Sequence, residues 1–147
     1  MHISDLTDHT GYWLRMVSNA VSQDFARRVA VEGVTVAEWV FLRALFDAEA
    51  TAPVLLARRM GMTRGAITKL ADRLIAKRLV TRLEQSGRGQ KLALTPEGRA
   101  KVPGLADLAD RNDADYFGAL PEADRAALDR ILQQLVKARG LSLVPLA

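Results

Sequence analysis

The stretch PVLLARRMGMTRGAITKLADRLIAKRLV, residues 53–80, decides the fold. Pro53 belongs in the first turn of a helix, where its missing amide hydrogen costs nothing. Leu56, Ala57 and Met60 follow at three- and four-residue steps, and Gly61 then stops the helix with the left-handed φ that a tight turn requires. Thr63 is an N-cap residue for a second helix, which the pattern carries to about Lys77. Ile67, Leu70 and Leu74 anchor that helix inward, Leu56, Met60 and Met62 close the core beneath it, and Ala57 is small where the two helices cross. Two helices joined in this way must cross steeply and leave one face of the second exposed. This is the geometry of a helix-turn-helix.

The exposed face carries Arg64, Gly65, Thr68, Lys69, Asp72 and Arg73. Gly65 and Ala66 let the start of the helix approach another molecule closely, and the unpaired amides behind Thr63 suit a phosphate oxygen. Arg64 has the position and the fork geometry for a bidentate guanine contact. Lys69 and Arg73 reach bases or phosphates, and spacing does not separate the two roles. The candidate DNA contacts on this helix are therefore Thr63, Arg64, Gly65, Thr68, Lys69 and Arg73.

Two short β-prone runs follow, Leu79–Glu84 and Gln90–Leu94, around Ser86-Gly87-Arg88-Gly89. They predict a hairpin. Arg88 at its tip, beside a recognition helix, is placed to enter an adjacent minor groove, where a guanidinium meets enhanced negative potential. Thr95-Pro96-Glu97 then caps a fifth helix running to about Phe117, with a kink expected at Pro103-Gly104 and Gly118 as its C′ residue. Pro121 opens a sixth helix with the stripe Leu128, Ile131, Leu132, Leu135 and Val136. Upstream, Trp13, Met16, Val17, Ala20, Val21 and Phe25 mark one face of a first helix from Gly11 to about Ala30. Thr35 and Glu38 form a capping box for a helix from about Val36 to Asp47, with Val34 and Trp39 placed to staple it.

Charge follows this layout. The net charge of the 147 residues is +4, but residues 51–101 hold twelve basic side chains against three acidic ones, while residues 1–50 and 102–147 carry −3 and −2. A basic island of this kind attracts polyanions. Catalysis would need a nucleophile with its base, a metal cluster or paired acids in a cleft. The chain has no cysteine, its histidines are His2 and His9, and no phosphate-binding glycine loop of the Walker type is present. An enzyme is therefore not expected, nor is a metal or other cofactor. No apolar run is long enough to span a membrane, and the first residues lack a signal pattern, so a cytoplasmic protein is expected. The rival to a specific regulator is a winged-helix module used for DNA packaging or protein contacts without a small-molecule inducer.

Four stretches resemble the MarR family of bacterial regulators: Leu55–Thr63, Thr68–Leu74, Leu79–Arg82 and Leu94-Thr95-Pro96-Glu97-Gly98. The last is the most discriminating. One departure is that Ser86 stands where the family usually carries an aspartate that orients the wing arginine, here Arg88. The resemblance implies a mainly α fold with a small β-hairpin wing. Residues 35–99 would form the winged helix-turn-helix lobe, and residues 1–34 and 100–147 a helical dimerisation region, all in one domain. It further implies a homodimeric transcriptional repressor, cytoplasmic, acting on a pseudo-palindromic operator in double-stranded DNA and released by a small aromatic ligand. Tyr12, Trp13, Met16, Trp39 and Arg43 are the ligand-site candidates on that reading.

Overall fold

The computed structural model describes residues 1–85 and 89–141. Six helices and a two-stranded hairpin follow one another as α1 (Thr10–Val31), α2 (Val36–Phe46), α3 (Pro53–Met60), α4 (Arg64–Ala76), β1 (Val80–Gln85), β2 (Gly89–Leu94), α5 (Pro96–Phe117) and α6 (Glu122–Ala138). The fold is mainly α with a β-hairpin wing, as the sequence predicts.

Local chemistry explains most boundaries. The Thr35 hydroxyl accepts from the Glu38 amide (3.1 Å) and the Glu38 carboxylate from the Thr35 amide (2.8 Å), so the expected capping box starts α2. Gly61 ends α3 in the left-handed conformation, φ 62° and ψ 36°, with the Met62 amide bonded back to the Ala57 carbonyl at 2.9 Å. The core beneath is built from Phe41, Leu42 and Leu45 of α2, Leu56 and Met60 of α3, Ile67, Leu70 and Leu74 of α4, and Val102 and Leu105 of α5. Trp39 is half-buried against it.

The hairpin pairs Val80 with Leu94 through to Gln85 with Gly89. A third, one-residue strand joins it: Thr51 exchanges both backbone hydrogen bonds with Leu92, at 2.8 and 2.9 Å. No β-prone run announces that bridge. Thr51 is buried there, just ahead of Pro53, and it fixes the start of α3 against the wing.

The Leu94–Gly98 stretch is a latch between hairpin and α5. The Thr95 hydroxyl donates to the Arg78 carbonyl (2.7 Å) and accepts from the Gly98 amide (3.0 Å), while the Thr95 amide donates to the Leu79 carbonyl (3.1 Å). A Cβ on Gly98 would lie 2.0 Å from the Leu79 oxygen, so only glycine allows this approach. Arg78, at φ 62°, occupies the left-handed position that turns the chain out of α4 into β1.

One expectation is corrected. Gly118 caps α5 in the right-handed region, φ −66°, because the chain leaves through a turn closed by the Leu120 amide on the Phe117 carbonyl rather than a left-handed C′ residue. Pro121 is the N-cap of α6 and the helix begins at Glu122. Pro103 lies inside α5, whose helical assignment runs on through it.

α1 and α5 run together and are tied by polar contacts. The Asn112 amide donates to the Val21 carbonyl (3.2 Å), the Tyr116 hydroxyl lies on the Asp24 carboxylate, and Arg28 pairs with Asp115. Arg99 lies over the Phe46 ring at 5.1 Å and donates to its carbonyl at 3.1 Å, joining α5 to α2. α6 differs from α1–α5: it buries none of its residues. Ile131, Leu132, Leu135 and Val136 form an exposed apolar stripe on it, and Trp13, Leu14, Met16 and Val17 form another on α1.

Candidate DNA interface

The face of α4 away from the core is the candidate interface. Ile67, Leu70, Ala71 and Leu74 are buried, which turns Arg64, Gly65, Thr68, Lys69 and Asp72 to the outside. The Thr63 hydroxyl accepts from the Ala66 amide at 3.1 Å, leaving the earlier amides of the helix start without an intrahelical partner. The Thr68 hydroxyl donates to the Arg64 carbonyl at 3.0 Å, which orients its methyl and oxygen along the exposed face.

The basic side chains fall into two groups. Arg64 and Lys69 are exposed and make no ion pair among the described residues. Both cations are free to neutralise phosphate or meet a base edge. Arg58 and Arg59, in the last turn of α3, are exposed in the same way. Arg73 and Lys77 instead lean on Glu38 of α2. Lys77 Nζ lies 2.8 Å from Glu38 Oε1, and Arg73 Nε lies 3.9 Å from Glu38 Oε2. Glu38 is 0% exposed. Burial pushes its carboxyl up, but the Lys77 ammonium, the Thr35 amide and the Arg73 guanidinium together outweigh that and hold it below the ordinary carboxylate value.

Asp72, on the outward face, pairs with Arg82 of β1 and so ties the helix to the wing. Between them, Pro53, Ile67, Thr68, Ala71, Arg82, Gln90 and Leu92 line a crevice of about 220 Å³. Gly65 has no packing reason to be glycine. The nearest atom a Cβ there would meet is Thr63 Oγ1, at 4.0 Å.

The structure thus brings Thr63, Arg64, Gly65, Thr68 and Lys69 onto one exposed surface and sets Arg73 at its edge, against Thr35 and Glu38. Arg88 lies outside the described residues, with Ser86 and Gly87. Sequence reasoning took Glu38 only as half of a capping box. The signal for more was its spacing: Glu38, Phe41, Leu42 and Leu45 make one stripe, so a charge sits on the buried face and needs a partner.

The five ligand-site candidates lie on α1 and α2. Tyr12 and Trp13 pack edge to face at 5.5 Å, and the Trp13 indole donates to the Thr7 carbonyl at 3.0 Å. Met16 and Trp13 are half exposed. Arg43 pairs with Asp47 at 2.8 Å. The cavities at Val21, Phe25 and Asn112 (about 200 Å³) and at Lys101, Gly104 and Leu108 (about 370 Å³) include none of the five. Among the described residues no cluster of acidic or histidine side chains could hold a metal ion, and no helix is long and apolar enough to cross a membrane.

An exposed basic helix held by a tight turn, with a hairpin pinned to it, is a winged helix-turn-helix. Residues 32–90 match the model of the MarR family. A putative transcriptional regulatory protein for the hcr operon of Thauera aromatica is 28% identical over 130 residues, 86% of this chain and 78% of that protein. The fold is shared with BpsR of Bordetella bronchiseptica, whose DNA binding is regulated by 6-hydroxynicotinic acid (TM-score 0.77, 24% identity, 91% of this chain and 97% of that one). It is shared equally with a mutant of MarR from E. coli in complex with operator DNA (TM-score 0.75, 24% identity, 86% and 92%).

Proposed function

We propose that this chain is a cytoplasmic homodimeric repressor that reads a pseudo-palindromic operator through Thr63, Arg64, Gly65, Thr68, Lys69 and Arg88, and that a small aromatic ligand releases it. The observation that carries this reading is the pairing of two exposed features: the unneutralised Arg64 and Lys69 on α4, and the uncovered apolar stripes of α1 and α6. One recognition helix reads only a few base pairs, which is too little for useful specificity in a genome. A two-fold pair reading half-sites one helical turn apart, roughly 34–36 Å, supplies enough. Exposed apolar stripes of this extent mark an interface, and the partner they fit best is a second copy of the chain. Residues 1–34 and 100–147 form the dimerisation region on this reading, and residues 35–99 the DNA lobe.

The ligand part draws on the similarity to BpsR and on the Tyr12–Trp13 pair, with Met16, Trp39 and Arg43 completing a site that the dimer would close. Ligand binding would favour a dimer with the wrong spacing between recognition helices.

The test is selection of duplexes from a random pool, followed by footprinting and a salt titration. A protected palindrome and an affinity that falls steeply with salt are expected. Uniform protection without a defined site would replace the repressor by a packaging protein.

A further inference from the structure

The C-terminal half of the recognition helix is held from behind by the buried Glu38 carboxylate. Its Oε1 accepts from the Thr35 amide (2.8 Å) and from Lys77 Nζ (2.8 Å), and Lys77 Nζ also donates to the Gly33 carbonyl at 2.8 Å. Arg73 lies one turn earlier on the same side of α4. Its Nη2 is 3.5 Å from Thr35 Oγ1 and its Nε 3.9 Å from Glu38 Oε2. We propose that Glu38, Lys77 and Arg73 form a clamp that sets the angle of the recognition helix against the α1–α2 elbow. Arg73 and Lys77 are then positioning residues for DNA recognition, not contacts to DNA. This rests on the DNA-binding reading above.

Three observations carry it. First, Lys77 is committed: two protein oxygens share its ammonium, and moving it to a phosphate would strip a fully buried carboxylate of its nearest cation. Second, Glu38 Oε2 has no hydrogen-bond partner among the described residues, and the Arg73 guanidinium is the other charge facing it. Third, the contrast along α4 is sharp. Arg64 and Lys69 make no ion pair among the described residues, whereas Arg73 and Lys77 do. The elbow that the clamp grips, Glu32 to Thr35, is the direct continuation of α1. A change in how α1 packs in a dimer therefore reaches the tilt of the recognition helix through Gly33, Thr35 and Glu38.

The experiment uses the full-length protein, a duplex enriched by selection and a random-sequence duplex. Glu38→Gln keeps the shape without the charge, while Lys77→Met and Arg73→Met keep the aliphatic stems. Thermal melts establish that each variant is folded at the assay temperature. Expected for Glu38→Gln and Lys77→Met is a loss of specific affinity on the order of tenfold, similar to one lost base contact, with random-sequence affinity and salt slope unchanged. Lys77→Arg should restore binding. For Arg73→Met, too, the slope should not move. A slope that falls by about 0.9 per removed cation, with specific and random DNA weakened equally, would overturn the clamp in favour of phosphate contacts. So would full specific affinity in folded Glu38→Gln and Lys77→Met. If the wild-type protein selects no sequence, the DNA-binding reading fails on its own. The clamp is then judged by a Glu38/Lys77 double-mutant cycle in thermal unfolding, where coupled losses support it and additive losses overturn it.

Discussion

Replacing Gly65 with alanine should move stability and DNA affinity in opposite directions. Gly65 is the second residue of α4, its backbone is not in the left-handed region, and an added Cβ would have Thr63 Oγ1 as its nearest neighbour at 4.0 Å. That is ordinary van der Waals distance, so the methyl group fits the folded chain. Glycine costs a helix roughly 0.8–1.0 kcal/mol relative to alanine, and somewhat less in the first turn. The variant should therefore gain about 0.5–1 kcal/mol, a rise in melting temperature of about 1–4 °C for a chain of this size. On DNA the same methyl group points into the space where the helix start meets the duplex. There it should cost about 1–3 kcal/mol on the selected site, as much as one disturbed base pair. Thermal denaturation and fluorescence-anisotropy titration on the selected duplex measure the two effects. A variant that is more stable and binds as well as the wild type would refute the placement of this helix start at DNA. A variant that is less stable would refute the argument that Gly65 is unneeded for folding.

Gly98→Ala should do the reverse, destabilising the fold by about 1–3 kcal/mol through overpacking, because the Cβ would lie 2.0 Å from the Leu79 oxygen; a melt unchanged from wild type would show that the latch yields easily. Aspartate at both Ile131 and Leu135, which are half exposed on α6, should leave the chain folded but monomeric in sedimentation and without affinity for the full palindrome. A dimer that persists in this variant would move the interface elsewhere.

Much of this protein was legible in its sequence because the deciding signals are local. A capping box spans three residues, a left-handed glycine acts on its own turn, and an apolar stripe repeats within one helix. Thr35 with Glu38, Gly61, Thr63 and the run from Ile67 to Leu74 therefore placed α2, α3 and α4 and turned Arg64 and Lys69 outward without reference to the rest of the chain. The expected wing-tip residue, Arg88, lies outside the described residues.

What the sequence could not show are contacts between residues distant along the chain. Lys77 meets Glu38 across 39 positions, and Arg73 meets Thr35 across 38. Neither pairing has a local pattern, so Arg73 looked like one more exposed cation of the recognition helix. The one-residue strand at Thr51 exists only because Leu92 is folded beside it, and Gly98 is explained only by the Leu79 carbonyl that crosses its path. Local sequence determines which elements form, since their caps and periodicity stabilise them within a few residues. Which charges are free for DNA and which are held within the protein is decided by tertiary packing, because only packing buries a carboxylate such as Glu38 and obliges a distant lysine to compensate it.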